Sequence, residues 1–292
     1  MSVLLAAFLQ AGAENRTMTV RSSDRIQSID ASFSYEIHVT HGNSRTVTVE
    51  YDPVYEEYMK VECSFGKLYL RMEKLPAKLR LSERMTLKVY MEMSQIKDID
   101  MSGASSVTFD GAYDAEDLDI DLSGAARIGF LEVSGESLSL NSSGAANFEL
   151  RGAFSEDIDM DLSGASNGYV SLKAPELEVD MSGASKLYVF GSYDSTDLHC
   201  SGAGNIEIEG DGDTLNLKCS GACTCEASAF DVRNANVELS GASKAMVNAA
   251  IRIVADVSKT SKLTYYGDPE VRNVNEWANI RQERKPQVGM AL

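Results

Sequence analysis

The chain is short of cations. Its 27 Lys and Arg stand against 44 Asp and Glu, a formal charge of −17. A surface of that sign repels phosphate backbones, which excludes nucleic acid and anionic membrane as partners. It leaves cationic partners and metal ions open, and by itself it reads as solubility. No run after the first thirteen residues is apolar enough to cross a bilayer as a helix, and those thirteen are too few to do so. No segment carries a convincing helical period. Histidine occurs at three positions only, His38, His41 and His199. Five cysteines is an odd number, so within one chain at least one thiol stays unpaired.

What is present describes a folded protein. The apolar fraction is 43% and the charged fraction 24%, and 292 residues suffice for one large all-β domain or two ordinary ones. The first stretch, "MSVLLAAFLQAGA" (1–13), ends in Ala-Gly-Ala and fits the remnant of an export signal with Glu14 as the new N-terminus, although no Lys or Arg precedes Arg16. No cysteine follows it to take a lipid. The expectation is an exported protein, periplasmic, secreted or held at the outer surface.

A repeat dominates the rest. Ser-Gly-Ala begins at Ser102, Ser123, Ser143, Ser163, Ser182, Ser201, Ser220 and Ser240, and a decayed copy follows at Ser258. One residue before each serine stand Met101, Leu122, Ser142, Leu162, Met181, Cys200, Cys219 and Leu239. Three before stand Ile99, Ile120, Leu140, Met160, Val179, Leu198, Leu217 and Val237, with polar residues between the two columns. This is period-two alternation, the mark of a half-buried strand. Alternation resumes after the triplet: Val107, Ile128, Phe148, Leu187 and Ile206 lie five residues on, and Phe109, Phe130, Leu150, Val170, Val189, Ile208 and Val247 seven on. Each copy therefore reads strand, corner, strand and variable turn. One copy cannot bury its apolar face alone, whereas stacked copies bury a continuous core and pair every backbone group.

The spacing predicts an all-β fold, a parallel β-helix (β-solenoid) of ~20-residue rungs, right-handed because such crossovers overwhelmingly are. Eight rungs at ~4.8 Å give a rod of roughly 34 Å. A β-propeller is the runner-up, but its blades need about 40 residues. At the corner, glycine supplies a tight bend, serine bonds nearby backbone, and alanine is expected to point inward. Residues 14–95 alternate without the triplet and read as an N-terminal β region, either early coils or a capping sheet. Residues 96–267 form the rungs. Residues 268–292 read as a cap or tail, with Trp277 closing the core.

The recurring [LM]-S-G-A-[SA] between alternating strands resembles the GIN-domain family, described as auto-transporter adhesin heads and common in Bacteroidetes-type bacteria. The resemblance spans about residues 25–267, from the N-terminal β region to the closing "KLTYYGDP". Lys-Thr after Ser258 departs from the motif where the repeat ends. The resemblance implies an exported β-helical protein engaged in adhesion, and carries no catalytic residues.

Four constellations remain. Eight serines share three histidines and no Gly-x-Ser-x-Gly elbow, so the serines read as corners and not nucleophiles. Asp98, Asp100, Asp119, Asp121, Asp159, Asp161, Glu178 and Asp180 are expected on one face; this is either a solvated face or, since stacked like charges repel, a place for calcium. No other cofactor is implied. Cys200, Cys219 and Cys225 fall in inward columns and read as buried hydrophobes, while "CSGACTC" with His199 leaves zinc or a disulfide open. Tyr169 and Tyr188 share an outward column on adjacent rungs, and His199 and Lys218 interrupt the acidic column, so these four are the candidate ligand contacts.

The reading is a non-enzymatic adhesin that binds carbohydrate or protein at the cell surface. A β-helical polysaccharide lyase or glycosidase is the alternative, supported by fold analogy alone. A structural assembly module is the third reading.

Overall fold

The computed structural model describes residues 15–76, 79, 86–275 and 278–284. The proposed leader and Trp277 lie outside these residues. The chain forms one β-solenoid of about ten turns. Each turn contributes two strands. The first stack runs through Asp98–Met101, Asp117–Leu122, Ser137–Ser142, Asp157–Leu162 and Glu176–Met181, all parallel and in register. The second runs through Ser106–Asp110, Arg127–Gly135, Asn147–Phe154 and Asn167–Lys173. From Lys186–Cys200 onward one long strand serves both stacks, as in Asn205–Cys219, Thr224–Leu239 and Lys244–Val257.

The core is the column set expected from alternation. Ile99, Ile120, Leu140, Met160, Val179, Leu198, Leu217 and Val237 are all buried, stacked rung on rung. Ser142 takes a place otherwise held by Leu, Met or Cys. It is buried, and its hydroxyl donates to Ser166 Oγ at 2.9 Å, which in turn donates to the Ser163 carbonyl at 3.0 Å. A buried polar pair is tolerable on those terms, because each hydroxyl is satisfied. Gly168 leaves an inward gap that the Phe148 ring fills.

The corner works as a backbone ladder. All eight triplet glycines have φ between 69° and 82°, a region that penalises a side chain. Successive corners also touch. The Ala125 N–H donates to the Gly103 carbonyl at 2.7 Å, Ala165 to Gly144 at 2.7 Å, and Ala184 to Gly164 at 2.7 Å. Corner serines add weaker bonds to the preceding rung, as from Ser143 Oγ to the Leu122 carbonyl at 3.4 Å.

Two inward assignments change. The alanine of the triplet points to solvent; Ala104, Ala125, Ala145 and Ala165 are exposed. The small inward residue is the one after it: Ser105, Ala126, Ala146, Ser166, Ser185, Gly204, Cys223 and Ser243. The positive φ of the glycine turns the chain so that three residues, the serine, the glycine and the alanine, pass outside before the strand re-enters. Phe130 is likewise not inward. A β-bulge between Arg127 and Phe130 inserts one residue, pairs Phe130 with Glu149, and hands the core position to Leu131. Phe109 is half-buried at the same level.

The N-terminal region is both early coil and cap. Ser28–Ala31 and Glu36–His41 form a rung in register with Asp98–Met101 and Ser106–Asp110, cornered by Phe33 at φ 92° in the glycine position. Beyond it the strands turn antiparallel: Arg16–Arg21 on Thr46–Tyr51, Thr46–Tyr51 on Leu87–Met93, and the hairpin Met59–Ser64/Lys67–Met72. At the other end, Glu270–Asn273 and Ile280–Gln282 pair parallel onto the last rungs, a decayed further turn.

Candidate binding surfaces

Outward residues of the two stacks build two separate faces. On the first, register sets Asp98 beside Asp119, Asp100 beside Asp121, Asp159 beside Glu178 and Asp161 beside Asp180. The acidic face expected from sequence is therefore real, with Ser139 and Asn141 as its one neutral rung. Two shallow grooves of about 330 and 550 Å³ run along the corner serines, and they meet at Asp180. Partial burial, then the Asp161, Asp180 and Asp157 charges, hold the Asp159 carboxyl above its ordinary value. Asp100 is raised in the same way, by burial first and then by Asp30. Basic side chains gather at the two ends: Lys67 Nζ lies 2.9 Å from Asp98 and Arg71 pairs with Asp30, while Lys218 Nζ lies 4.0 Å from Glu238 and the His199 ring places Nδ1 3.2 Å from Asp180. Glu178, Asp180 and His199 bring their ligand atoms within 4.8 Å of one another, an exposed donor set.

The cysteines do not join that set. His199 faces outward while Cys200, its neighbour along the strand, is buried, so a zinc site of His199 and the cysteines is not built. Cys200, Cys219, Cys223 and Cys225 are free thiols packed in the core. Burial, with nearby thiols, pushes Cys219 up to about 12 and Cys225 well above its ordinary value, as expected of inert hydrophobic cysteines. Cys223 occupies the small-residue column and donates to the Ser220 carbonyl at 3.0 Å.

The second face carries aromatics. Tyr169 on Asn167–Lys173 pairs with Tyr188 on Lys186–Cys200, and their rings stack with centroids 4.8 Å apart at 1°. Phe130, Tyr169 and Phe190 are 44%, 55% and 57% exposed. With Tyr188 they line a shallow groove of about 400 Å³ whose floor is Leu150, Val170 and Val189 and whose polar residues include Glu149, Arg151, Glu207 and Glu209. Single exposed apolar residues are ordinary on proteins; four aromatics around one groove are not.

Of the four residues singled out from sequence, the structure joins Tyr169 to Tyr188 on one face and sets His199 on the rung before Lys218 on the other. It does not bring the pairs together. Sequence reasoning missed Phe130, which the period assigned to the core, and Phe190, two residues beyond Tyr188. Gly129 beside Phe130 was the available signal, since glycine inside a strand marks a bulge.

The family model described as "Putative auto-transporter adhesin, head GIN domain" matches residues 26–190 and 156–269. No curated protein matches the chain. Among solved structures, one titled a putative adhesin from Parabacteroides distasonis is 14% identical, with 93% of this chain and 98% of that chain covered at a TM-score of 0.52. Another, from Parabacteroides merdae and titled likewise, is 14% identical, covering 92% and 96% at a TM-score of 0.50. At that identity the likeness is one of fold.

Proposed function

The chain belongs to the auto-transporter adhesin head GIN-domain family, and from that premise we propose that it is an exported, non-enzymatic adhesin head that binds carbohydrate at a cell surface through its aromatic face. The observation that carries this is the exposure of Phe130, Tyr169 and Phe190 together around one groove. Phe130 is the most telling. Its strand inserts an extra residue to turn a phenyl ring out of the core and into solvent, against the hydrophobic pattern. Such a local rule is broken at a cost, and functional sites are where that cost is met. Aromatic rings offer apolar surface to sugar C–H faces, and the Glu and Arg residues around the groove offer acceptors and donors to hydroxyls. The rod itself supplies rigidity, so the face is pre-organised and little ordering entropy is lost on binding.

The test is a screen of immobilised polysaccharides and host-surface proteins with the whole chain and with Tyr169→Ala/Tyr188→Ala. Truncated aromatic anchors cost about tenfold or more in affinity. Tyr169 is exposed and Tyr188 half-buried on the same outward side, so the double variant stays folded and loses no more than the ring stack, about 0.5–1.5 kcal/mol. Binding that survives the double substitution refutes the assignment of the face. Release of reducing ends or unsaturated products from any polysaccharide refutes the non-enzymatic reading.

A further inference from the structure

The face that carries Tyr169 and Tyr188 continues to the other end of the rod. Followed strand by strand, its outward column is Tyr90, His38, Thr108, Gly129 with Phe130, Glu149, Tyr169 and Tyr188. Tyr90 pairs with His38 and His38 with Thr108. Gly129 lies against Thr108, Phe130 pairs with Glu149, and Glu149 with Tyr169. Six steps of ~4.8 Å place Tyr90 and Tyr188 roughly 29 Å apart along one line. At the N-terminal end the column repeats the arrangement seen at the tyrosines. The His38 and Tyr90 rings stack with centroids 5.2 Å apart at 14°, and Tyr90 is exposed. They line a shallow groove of about 270 Å³ with Thr40, Thr46 and Thr48. Phe130 stands between the two pairs.

We propose that this column is one continuous binding track for an extended, uncharged polysaccharide chain lying parallel to the rod, with His38 and Tyr90 forming a second aromatic subsite. The inference rests on the adhesin reading above and names its ligand class. Three features favour that occupant. Contacts recur at the strand spacing along a straight line, which a polymer of repeating units meets repeatedly and an irregular protein surface does not. The track has polar groups on both sides: Arg127, Asn147, Asn167 and Lys186 form the outward column two residues before it, and Glu132 and Arg151 lie two residues beyond it. Donors and acceptors together suit hydroxyls, which are both. Finally, the charges nearly cancel locally, while the chain as a whole carries −17, so a uronate-rich or sulfated chain is repelled without a basic track to hold it.

The test compares soluble neutral xylan, mannan and β-glucan with short oligosaccharides cut from them, by calorimetry on the whole chain. A chain long enough to span the track engages both subsites, and joining two sites raises avidity by about 10²–10⁴ over one. The expected result is that long chains bind at least tenfold more tightly than short ones. His38→Ala/Tyr90→Ala removes that advantage and lowers the number of short chains bound per protein from two to one, whereas Tyr169→Ala/Tyr188→Ala removes the other short-chain subsite and the advantage with it. Equal affinity for long and short chains, or long-chain binding indifferent to His38→Ala/Tyr90→Ala, overturns the track and leaves the adhesin reading intact. So does a preference for alginate that still depends on Tyr169 and Tyr188, while a protein ligand that depends on them overturns both the track and the assignment of carbohydrate to the face. Indifference of every ligand to the tyrosine substitutions overturns both readings.

Discussion

Gly164→Ala is the sharpest test of the corner ladder. Gly164 sits at φ 74°, and a Cβ built there lies 2.5 Å from the Gly144 carbonyl oxygen and 3.0 Å from its nitrogen. Two penalties add. Holding alanine in left-handed backbone costs about 1–2 kcal/mol. Relieving the overlap means moving one rung against another, an overpacking cost of about 1–3 kcal/mol. The neighbour is backbone already committed to the bond from the Ala165 N–H, so no side chain can swing aside. Against this, alanine restricts the unfolded chain more than glycine does, which returns about 0.4–1 kcal/mol. The net is about 1–4.6 kcal/mol, or roughly a fivefold to 2,000-fold drop in the folding constant. Guanidinium unfolding followed by far-UV circular dichroism reads the difference as a lowered midpoint. Ala165→Ser, one residue on and exposed, is the control and should stay within about 0.5 kcal/mol of the parent. If Gly164→Ala loses less than about 0.5 kcal/mol, the glycines are not required by the stacking of corners, and the account of the repeat given above is wrong.

Three further outcomes follow from the same geometry. Ala146→Leu, in the inward small-residue column, should lower stability by about 1–3 kcal/mol while Ala145→Leu, facing solvent, changes little; equal effects in a denaturant series would reject the corrected orientation of the corner. The raised carboxyl of Asp159 means that the folded state holds this proton more tightly than the unfolded chain does, so its contribution to stability is present at low pH and lost as pH rises through the raised value. Asp159→Asn is therefore expected to melt higher than wild type near neutral pH, with the gap closing towards about pH 4, the ordinary aspartate range, and a gap independent of pH in thermal melts would contradict this. Under native alkylation with iodoacetamide, mass spectrometry should find Cys63, which is only half-buried, modified first, and Cys200, Cys219, Cys223 and Cys225 protected until the rod unfolds; rapid labelling of the four would show that they are not core residues.

The acidic and aromatic faces come from one device. A parallel in-register stack places like residues on like, so any outward position written consistently becomes a column. On the first face this concentrates repulsion, met at Lys67, Arg71 and Lys218. On the second it aligns rings. The same regularity makes an exception informative, and the bulge at Phe130 is such an exception.

Much of this was legible in the residues alone. Ser-Gly-Ala at steady spacing between alternating strands determined the rungs, the parallel stacking, the inward Leu, Ile, Met and Cys columns, the acidic face and the pairing of Tyr169 with Tyr188. These follow from period-two alternation and from a repeat that fixes its own register, both local properties of the chain. Tertiary structure decided the rest. Which corner residue points inward depends on the backbone turn at a positive-φ glycine, and the alternation on either side does not report it. Phe130 left the core because one extra residue in its strand had to be absorbed against neighbouring rungs, a matter of pairing and not of pattern. The alignment of His38 and Tyr90 with tyrosines more than seventy residues away arose because a segment without the triplet still adds a rung at the end of the stack. Register between strands distant in sequence is set where they meet, and only the folded chain brings them there.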